Sequence, residues 1–344
     1  MKQIQLIFIG YILLGCAKPQ TTIETIPLIS NTDALLQAIS IVDKNVAWVS
    51  GHKATFVRTT DGGINWRPFH YPNDTLQFRD IHSFDHTEAV IMSAGPGKLS
   101  RIFKFSDHSG FREVYVMPHE EGFLNTIEFW DNGKGLAFGD SFNGQLFVLI
   151  TNDKGETWER IDPSTLPPAG KGEGGFAASG ACISLLRGGR AWIGTGAGGH
   201  SRVLFTDNFG RTWSDYEVPI VKGDAAGITS IHMVDLSTGL IAGGDLAITG
   251  AYTDNIAITD DGGKTWTLAG QPITKGAFYG SDIIRWKNDF LMIMCGPKGI
   301  DYSDDHGHTF NNLDTLNYWA VDLHKSGSGY AVGTDGKLLK LIIH

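Results

Sequence analysis

Acidic residues recur along the sequence at a regular spacing, each inside the same short pattern. Such carboxylates could act as catalytic acids or Ca²⁺ ligands, but one tight turn does not provide the ligand spacing of a Ca²⁺ site. We interpret them as turn residues: the Asp side chain accepts backbone amides, Gly takes the positive φ, and Ser or Thr hydroxyls close the ends. The third position of the pattern, repeating every 44 to 55 residues, is Asp61, Asp107 (in a degenerate copy), Asp153, Asn208, Asp261 and Asp305.

A second repeated pattern lies between the turns: a short apolar segment that ends in Gly, which predicts a β-strand. Another short apolar strand precedes each of these Gly-ending strands, and one strand lies on each side of the Asp-containing turn. Each unit therefore has four strands, which is typical of a β-propeller blade. The sequence therefore predicts an all-β fold, a seven-bladed β-propeller of four-stranded antiparallel blades. Six or eight blades remain alternatives because the second unit is degenerate. The seven copies lie at 46–51, 89–95, 135–140, 191–196, 239–245, 290–296 and 329–336.

The two ends of the chain complement each other. The seventh unit stops after its third strand, at GKLLKLIIH, while an extra strand, TTIETIPLI, stands at 21–29 before the first unit. Pairing this strand as the outer strand of the last blade leaves no open edge between the first and last blades. We expect the N-terminal strand to close the ring in this way.

The turn copies resemble the Asp box, or BNR repeat, in TTDGGINW (59–66), TNDKGETW (151–158), TDNFGRTW (206–213), TDDGGKTW (259–266) and SDDHGHTF (303–310). With the strand pattern and the N-terminus, the chain resembles Asp-box propellers typified by photosystem II stability and assembly factors. Bacterial lipoprotein relatives of that group are loosely labelled oxidoreductases or glycosyl hydrolases. The resemblance implies an architecture more than a function, because one fold hosts many different sites.

The N-terminus has the layout of an export signal. One Lys precedes an apolar run from Ile4 to Leu14, which is too short to span a bilayer and is typical of a signal-peptide core. LLGC at 13–16 resembles the bacterial lipoprotein box, which implies that Cys16 is lipidated. We therefore predict a lipoprotein signal peptide at 1–15, a lipid-anchored tether at 16–20, and the propeller at 21–344. The expected location is exported, at the outer membrane or the periplasmic face.

Composition narrows the partners and cofactors. The 44 Gly residues indicate many turns, and 42% hydrophobic residues leave enough apolar surface for a large core. The formal charge of -9 comes without a basic block, so no nucleic acid partner is expected. Cys182 and Cys295 lie in apolar runs without a CxxC motif, so we expect buried thiols and no disulfide, metal site or cofactor. We expect a monomer.

A binding site in a propeller is expected where the loops before the first strand and after the second strand of each blade converge. These positions carry charged, amide and aromatic groups, as expected of a polar pocket or a protein-docking surface. Two Gly-rich stretches, 171–180 and 194–202, contribute to the same face. The predicted ligand-binding residues are Arg79, Asp80, Asp140, Glu173, Ser179, His200, Arg202, Asp245, Asn255 and Asp282, with Asn125, Phe176, Tyr279 and Trp319 on the same face.

Two functions are open. The first is a non-catalytic, membrane-anchored platform that binds a protein or glycan ligand. The second is a glycan-processing enzyme, a glycoside hydrolase or lyase, which requires two carboxylates roughly 5 to 9.5 Å apart. Its candidate catalytic residues are Asp80, Asp140, Glu173 and Asp245. A sialidase is disfavoured because no Arg-Ile-Pro segment occurs and the predicted face carries two arginines where such enzymes use three. We favour the platform.

Overall fold

Seven antiparallel sheets of four strands each make up the computed structural model, which describes residues 21–287 and 289–344. Blade 1 contains β2 (Leu36–Ile41), β3 (Ala47–Gly51), β4 (Thr55–Thr59) and β5 (Arg67–His70), and blade 2 contains β6 (Phe78–Ser83), β7 (Glu88–Ser93), β8 (Arg101–Ser106) and β9 (Gly110–Val116). Blade 3 contains β10 (Leu124–Phe129), β11 (Gly135–Phe142), β12 (Gln145–Thr151) and β13 (Glu159–Arg160). Blade 4 contains β14 (Ile183–Leu186), β15 (Arg190–Gly194), β16 (Arg202–Thr206) and β17 (Ser214–Glu217).

The other three blades follow the same order. Blade 5 contains β18 (Ala226–Met233), β19 (Gly239–Asp245), β20 (Ile256–Thr259) and β21 (Thr267–Leu268). Blade 6 contains β22 (Gly280–Trp286), β23 (Asp289–Gly296), β24 (Gly299–Ser303) and β25 (Asn311–Asp314). Blade 7 contains β26 (Tyr318–His324), β27 (Ser328–Gly333), β28 (Lys337–Ile343) and β1 (Ile23–Ile29). Two short 3-10 helices, Gly97–Leu99 and Pro163–Thr165, are the helices of the described residues. The predicted seven-bladed propeller is confirmed.

The ring closes through the N-terminal strand, as predicted. β1 runs antiparallel to β28 with seven residues in register, from Ile23 opposite Ile343 to Ile29 opposite Lys337. Pro27 lacks an N–H donor, which this strand tolerates because it lies at the outer edge of its sheet. The last blade is therefore built from both ends of the chain.

The antiparallel strand order defines two faces. The first strand of each blade lies innermost, against the first strands of its neighbours, and starts at the end where the second strand stops. We call this end the upper face. The Asp-box turns join the third strand to the fourth at the opposite end, the lower face.

The turn around Asp261 shows how an Asp box holds its blade. The Thr259 hydroxyl donates to the Asp261 carboxylate (2.9 Å) and accepts from the Gly263 N–H (2.9 Å). The same carboxylate accepts from the Thr265 N–H (2.9 Å) and hydroxyl (2.7 Å), and Gly263 takes a φ of +86°. These bonds commit the carboxylate to the turn. The Thr or Ser hydroxyl bonds in the same way in the boxes of Asp61, Asp153, Asn208 and Asp305.

The degenerate copy has a different geometry. Its turn is shorter, since β8 ends at Ser106 and β9 begins at Gly110, and the hydroxyls of Ser106 and Ser109 bond to each other (2.7 Å). Asp107 leaves the turn and forms an ion pair with Arg58 of the preceding blade (3.0 Å). This copy keeps a Gly with positive φ (Gly110, +68°) but has His108 where a complete box has its Asp. Its Asp107, one position earlier, binds the neighbouring blade instead.

The core lies between the blades. The box residue Trp66 of blade 1 packs edge-on against Tyr330 of blade 7, with ring centroids 5.2 Å apart. Cys182 and Cys295 are both free and buried, and burial raises the pKa of Cys182 to about 12. Such thiols pack as small apolar groups.

The predicted signal peptide and the tether with Cys16 lie outside the described residues. Within 21–287 and 289–344, no helix has the length and apolar character needed to cross a membrane.

Candidate functional site

An upper pocket of about 270 Å³ lies at the centre of the upper face. Its walls come from blades 2, 3, 5, 6 and 7, and they combine aromatic rings with one cation, one carboxylate and one amide. The ring centroids of Tyr279 and Trp319 are 4.8 Å apart in an edge-on arrangement. The residues that line the upper pocket are Arg79, Phe123, Asn125, Asp140, Gly175, Phe176, Ala177, Ala178, Leu246, Tyr279 and Trp319.

The chain itself crosses the channel beneath this pocket. Residues 175–178 line the upper pocket, while 179–181 line a second cavity on the other side. Blades 2, 3 and 5 each donate a hydrogen bond to a carbonyl of this plug, residues 175–181. The Arg79 guanidinium donates to the Ala177 carbonyl (3.0 Å), the Thr126 hydroxyl to the Gly180 carbonyl (2.9 Å), and the Ile231 N–H to the Ala181 carbonyl (2.8 Å).

Arg79 is the cation of the upper pocket. Its guanidinium donates to neutral oxygens, those of Gln77 and Ala177, and it forms no ion pair within the described residues. Burial lowers its pKa, although a guanidinium stays protonated in proteins. Burial and the charge of Arg79 lower the pKa of the nearby His52 to about 4, so His52 is neutral at pH 7. This side of the pocket therefore favours an oxygen acceptor on a ligand.

Asp140 supplies the carboxylate of the upper pocket. One of its oxygens accepts from the Asn125 side-chain amide (2.8 Å) and the Gly175 N–H (3.3 Å), which ties the carboxylate to the start of the plug. Burial raises the pKa of Asp140. The space beside Gly174 is filled by the same carboxylate, so a side chain at 174 would collide with it.

Glu173 and Arg202 form a buried ion pair at the entry to the plug. The Glu173 side chain is fully buried. Its carboxylate accepts hydrogen bonds from Arg202 Nε (2.8 Å) and Nη2 (2.8 Å), the Thr195 hydroxyl (2.8 Å) and the Gly170 N–H (2.8 Å). Burial opposes ionisation, but the hydrogen bonds from Arg202 and Gly170 hold the pKa of Glu173 below its ordinary value. The pair joins the two Gly-rich stretches and offers no free carboxylate.

A lower cavity of about 220 Å³ lies on the other side of the plug. Asp80 lines it from β6 and is 4% exposed, with its oxygens accepting from the N–H groups of Ile81 (2.7 Å) and Ile127 (2.6 Å). Burial raises the pKa of Asp80 well above its ordinary value, and the Glu128 carboxylate adds to the rise. Asp80 thus joins blades 2 and 3.

The structure separates the predicted site residues into four environments. The upper pocket brings together Arg79, Asn125, Asp140, Phe176, Tyr279 and Trp319. Asp80 and Ser179 line the lower cavity instead, and Glu173 and Arg202 pair with each other. Outside these clusters, the ring of His200 lies against Gly170, Asp245 accepts from the Ala247 N–H (2.9 Å), and the buried Asn255 bonds Thr253 and Gly276.

Asp282 lies elsewhere than its predicted position on the upper face. It sits inside β22, where its carboxylate accepts from the N–H groups of Ile283 (2.7 Å) and of Leu323 in blade 7 (2.8 Å). The reason is that β22 begins at Gly280, so residue 282 already lies within the innermost strand.

Sequence reasoning missed two groups of residues. Phe123 and Leu246 of the upper pocket are apolar and directly precede or follow a strand, so nothing distinguished them from core residues. The polar lining of the lower cavity carries a detectable signal: each residue interrupts an apolar innermost strand one or two positions before its end. These residues are Ser40, His82, Glu128, His232 and Asp322.

A third cavity, of about 290 Å³, lies outside the channel between blades 3 and 4. Its charged groups are Arg187 and Asp131, a largely exposed pair 3.2 Å apart, which carries little interaction energy. The upper pocket and lower cavity remain the candidate sites.

Comparison with known proteins agrees with this architecture. A family model described as BNR/Asp-box repeat matches residues 257–268, the turn of blade 5. The chain is 24% identical over 333 residues to the chloroplastic photosystem II stability/assembly factor HCF136 of Guillardia theta, covering 90% of this chain and 80% of that protein.

Solved structures share the fold. YCF48 bound to a D1 peptide has a TM-score of 0.64 at 17% identity, covering 95% of this chain and 98% of the other. YCF48 from Cyanidioschyzon merolae has a TM-score of 0.63 at 16% identity, covering 92% and 98%. The WD40 propeller domain of Doa1 has a TM-score of 0.62 at 11% identity, covering 94% and 97%. The predicted resemblance to Asp-box propellers of the photosystem II assembly-factor type is confirmed.

Proposed function

We propose that this protein is a membrane-anchored, exported platform whose upper pocket docks a polypeptide segment of a partner protein. The observation that carries the proposal is the composition of the upper pocket at the centre of the upper face. Aromatic and aliphatic walls surround Arg79, Asn125 and Asp140, so an apolar side chain can be buried while its backbone is hydrogen-bonded. A glycan ligand is the other possibility for the same face.

The related propellers support a polypeptide over a glycan. HCF136 is named a stability/assembly factor, and YCF48 was solved with a peptide bound. Arg79 adds a chemical reason, because its partly buried guanidinium has no carboxylate partner among the described residues and can donate hydrogen bonds to a carbonyl or carboxylate of a peptide.

Photo-crosslinking at Leu246 tests the docking surface. Leu246 is half-buried in the wall of the upper pocket, whereas Ile64 is 80% exposed in an Asp-box turn on the lower face. A photoreactive amino acid at 246 is expected to capture a partner segment in native membranes, and one at 64 is not. The captured segment is then made as a peptide and its Kd measured by calorimetry. We expect Leu246→Asp to weaken binding at least tenfold and Ile64→Asp to leave it unchanged.

Two outcomes contradict this proposal. Equal crosslinking of the same partner from both positions means that the upper pocket is not the docking surface. Unchanged affinity of the peptide for Leu246→Asp means the same, provided that the variant retains the wild-type melting temperature. Binding of an oligosaccharide at the Leu246 wall in place of a peptide assigns the site to a glycan.

The carboxylate environments argue against glycosidase chemistry. The plug lies across the channel and separates Asp80, beneath it, from Asp140, above it. The Glu173 carboxylate is already held in an ion pair with Arg202. Two free carboxylates facing each other across an open cleft are what the enzyme hypothesis needs. None of these observations favours a glycosidase, so docking is the one function that we propose.

Lipidation at Cys16 is a separate prediction of the anchored platform. Cells that express the protein and are fed labelled palmitate are expected to incorporate the label, and Cys16→Ser is expected to abolish it, because the lipid is attached through the Cys thiol. Cys182→Ser is the control, since that thiol is buried in the propeller. Label retained by Cys16→Ser, or protein released from membranes without detergent in the wild type, contradicts the anchor.

A further inference from the structure

The lower cavity concentrates negative charge without a compensating Lys or Arg. The residues that line it include three carboxylates, Asp80, Glu128 and Asp322, and two imidazoles, His82 and His232, but no Lys or Arg. A fourth carboxylate, Asp282, stands next to Asp322 on the neighbouring innermost strand and accepts a hydrogen bond from the Leu323 N–H. The same innermost strands that form the propeller ring thus gather these groups at one end.

The two imidazoles each lie beside one of these carboxylates. His82 Nδ1 lies 2.9 Å from Glu128 Oε1, and His232 Nδ1 lies 3.5 Å from Asp282 Oδ1. Asp322 has no such partner; its carboxylate accepts from the Ile41 N–H (3.1 Å). Burial raises the pKa of Asp322 well above its ordinary value, with the Asp282 and Glu128 carboxylates adding to the rise. A cation placed here would relieve that repulsion.

A buried hydroxyl without a partner lies on a residue that lines the cavity. Ser179, on the plug, is 5% exposed and lines the lower cavity, and its Oγ has no hydrogen-bond partner. The Nε2 atom of His232 is likewise buried without a partner. A buried polar atom left without a partner costs about 1–3 kcal/mol, so such atoms are normally satisfied by a ligand or an ordered water.

We propose that the lower cavity binds a primary alkylammonium group, carried by a small free amine or by a lysine side chain. An ammonium has three N–H donors and no acceptor, which matches a set of carboxylates and a hydroxyl. Among the residues that line the cavity, Asp322, Glu128 and Ser179 supply oxygen acceptors for these donors, and Ile39, Ile81 and Val321 supply an apolar wall for the alkyl chain.

Size and ligand type support this choice over others. The cavity of about 220 Å³ lies below the roughly 300–1,000 Å³ of sites for drug-sized ligands, so a small group fits best. No group of three or more His, Cys, Asp or Glu side chains in residues 21–287 and 289–344 has the arrangement of a metal site. An organic cation is therefore favoured over a metal ion. This site is independent of the upper pocket and of the docking proposed for it.

Calorimetric titration with n-butylammonium chloride tests the proposal on the folded propeller. We expect saturable binding with a Kd of about 1 mM or tighter, and none for n-butanol, which has the same chain without the charge. Affinity should fall as the pH is lowered, because burial raises the pKa of Asp80 and of Asp322, and protonation of these two carboxylates removes negative charge that attracts the cation. Proton release on binding, measured in buffers of different ionisation enthalpy, is expected at neutral pH.

Variants separate this site from general charge effects. Asp322→Asn and Glu128→Gln are each expected to weaken n-butylammonium binding at least tenfold, and Ser179→Ala severalfold. Asp74→Asn, an exposed carboxylate outside the cavity, is the matched control and should not change the Kd. Because Glu128 is about one-third exposed, Glu128→Gln gives a result even if Asp322→Asn fails to fold.

The probes decide the source of the ammonium. If both n-butylammonium and Nα-acetyl-lysine methylamide bind, the cavity accepts a lysine side chain; if the first alone binds, the ligand is a free amine. Absence of n-butylammonium binding by the folded wild type overturns the proposal. Equal binding by Asp322→Asn and Glu128→Gln overturns it as well, and so does binding of Mg²⁺ or Ca²⁺ in place of the amine.

Discussion

A chain that begins at Ser30 is expected to lose cooperative folding, whereas a chain that begins at Thr21 is expected to melt in one cooperative transition. Residues 21–29 supply the whole outer strand of blade 7 and seven residue pairs with β28. They also join blade 6, because the Thr21 N–H donates to Asp304 (2.9 Å). Ladder hydrogen bonds contribute roughly 1 kcal/mol each, so their loss is comparable with a total stability of about 5–15 kcal/mol.

The open edge adds a second cost. Without β1, β28 presents an unpaired row of N–H and C=O groups next to the buried residues Leu339, Leu341 and Ile343. The shortened chain is therefore expected to aggregate. Circular dichroism melting and size-exclusion chromatography measure both effects. A synthetic peptide of residues 21–29 should restore the monomer, and a scrambled peptide should not. Cooperative melting of the Ser30 chain within a few degrees of the control contradicts the closure role.

Glu173→Ala is expected to destabilise the protein by about 3 kcal/mol, the lower end of the cost of breaking a buried ion pair. Arg202 loses its buried partner and keeps the more exposed Asp215 carboxylate (2.7 Å). Four hydrogen bonds to the Glu173 carboxylate disappear at once. Glu173→Gln is expected to cost less, since the amide oxygen still accepts. The free energy of unfolding is measured by urea denaturation at pH 7, and cleavage of the plug by a protease reports whether its anchor is lost.

The pH dependence of this effect has a definite sign. The pKa of Glu173 is held below its ordinary value in the folded state. Its contribution to stability is therefore fully present above the pKa of the unfolded chain, about 4.3, and is lost as the pH falls through the lower folded-state pKa. The difference between wild type and Glu173→Gln should accordingly shrink as the pH is lowered below about 4.

Glu217→Gln is the matched control. Glu217 pairs with Lys222 on the surface, with side chains 72% and 44% exposed, so the change should cost no more than about 1 kcal/mol. A Glu173→Ala variant that unfolds at the same urea concentration as the Glu217→Gln control contradicts the anchoring role of the buried pair.

Much of the fold was predictable because its signals are local. An Asp-box turn such as that of Asp261 satisfies its own hydrogen bonds within seven residues, so the pattern keeps its structure in any blade. The extra strand at 21–29 and the three strands of the seventh unit complement each other, which made the closure predictable. The degenerate turn at Asp107 departed from the pattern because its acid bonds Arg58, 49 residues away in sequence.

The candidate site was predictable only in part. The rule that loops before the first strand and after the second strand converge correctly gathered Arg79, Asn125, Asp140 and Trp319 in one pocket. The rule did not distinguish carboxylates that are free to contact a ligand from those already paired within the protein, such as Glu173. Whether the Glu173 carboxylate is free depends on Arg202. No local pattern in the sequence pairs these two residues, which come into contact only when the two Gly-rich stretches fold together.

The sequence by itself determined the four-stranded units, the Asp-box turns and the closing strand, and it favoured seven blades over six or eight, because each depends on residues close in sequence or on a count of strands. Only the tertiary structure decided what fills the channel. Whether a Gly-rich stretch forms a rim or crosses the axis depends on contacts with several blades at once. Here Gly180 lies against the Asp80 carboxylate, where a larger side chain has no room. That approach places the plug across the channel and divides it into an upper pocket and a lower cavity.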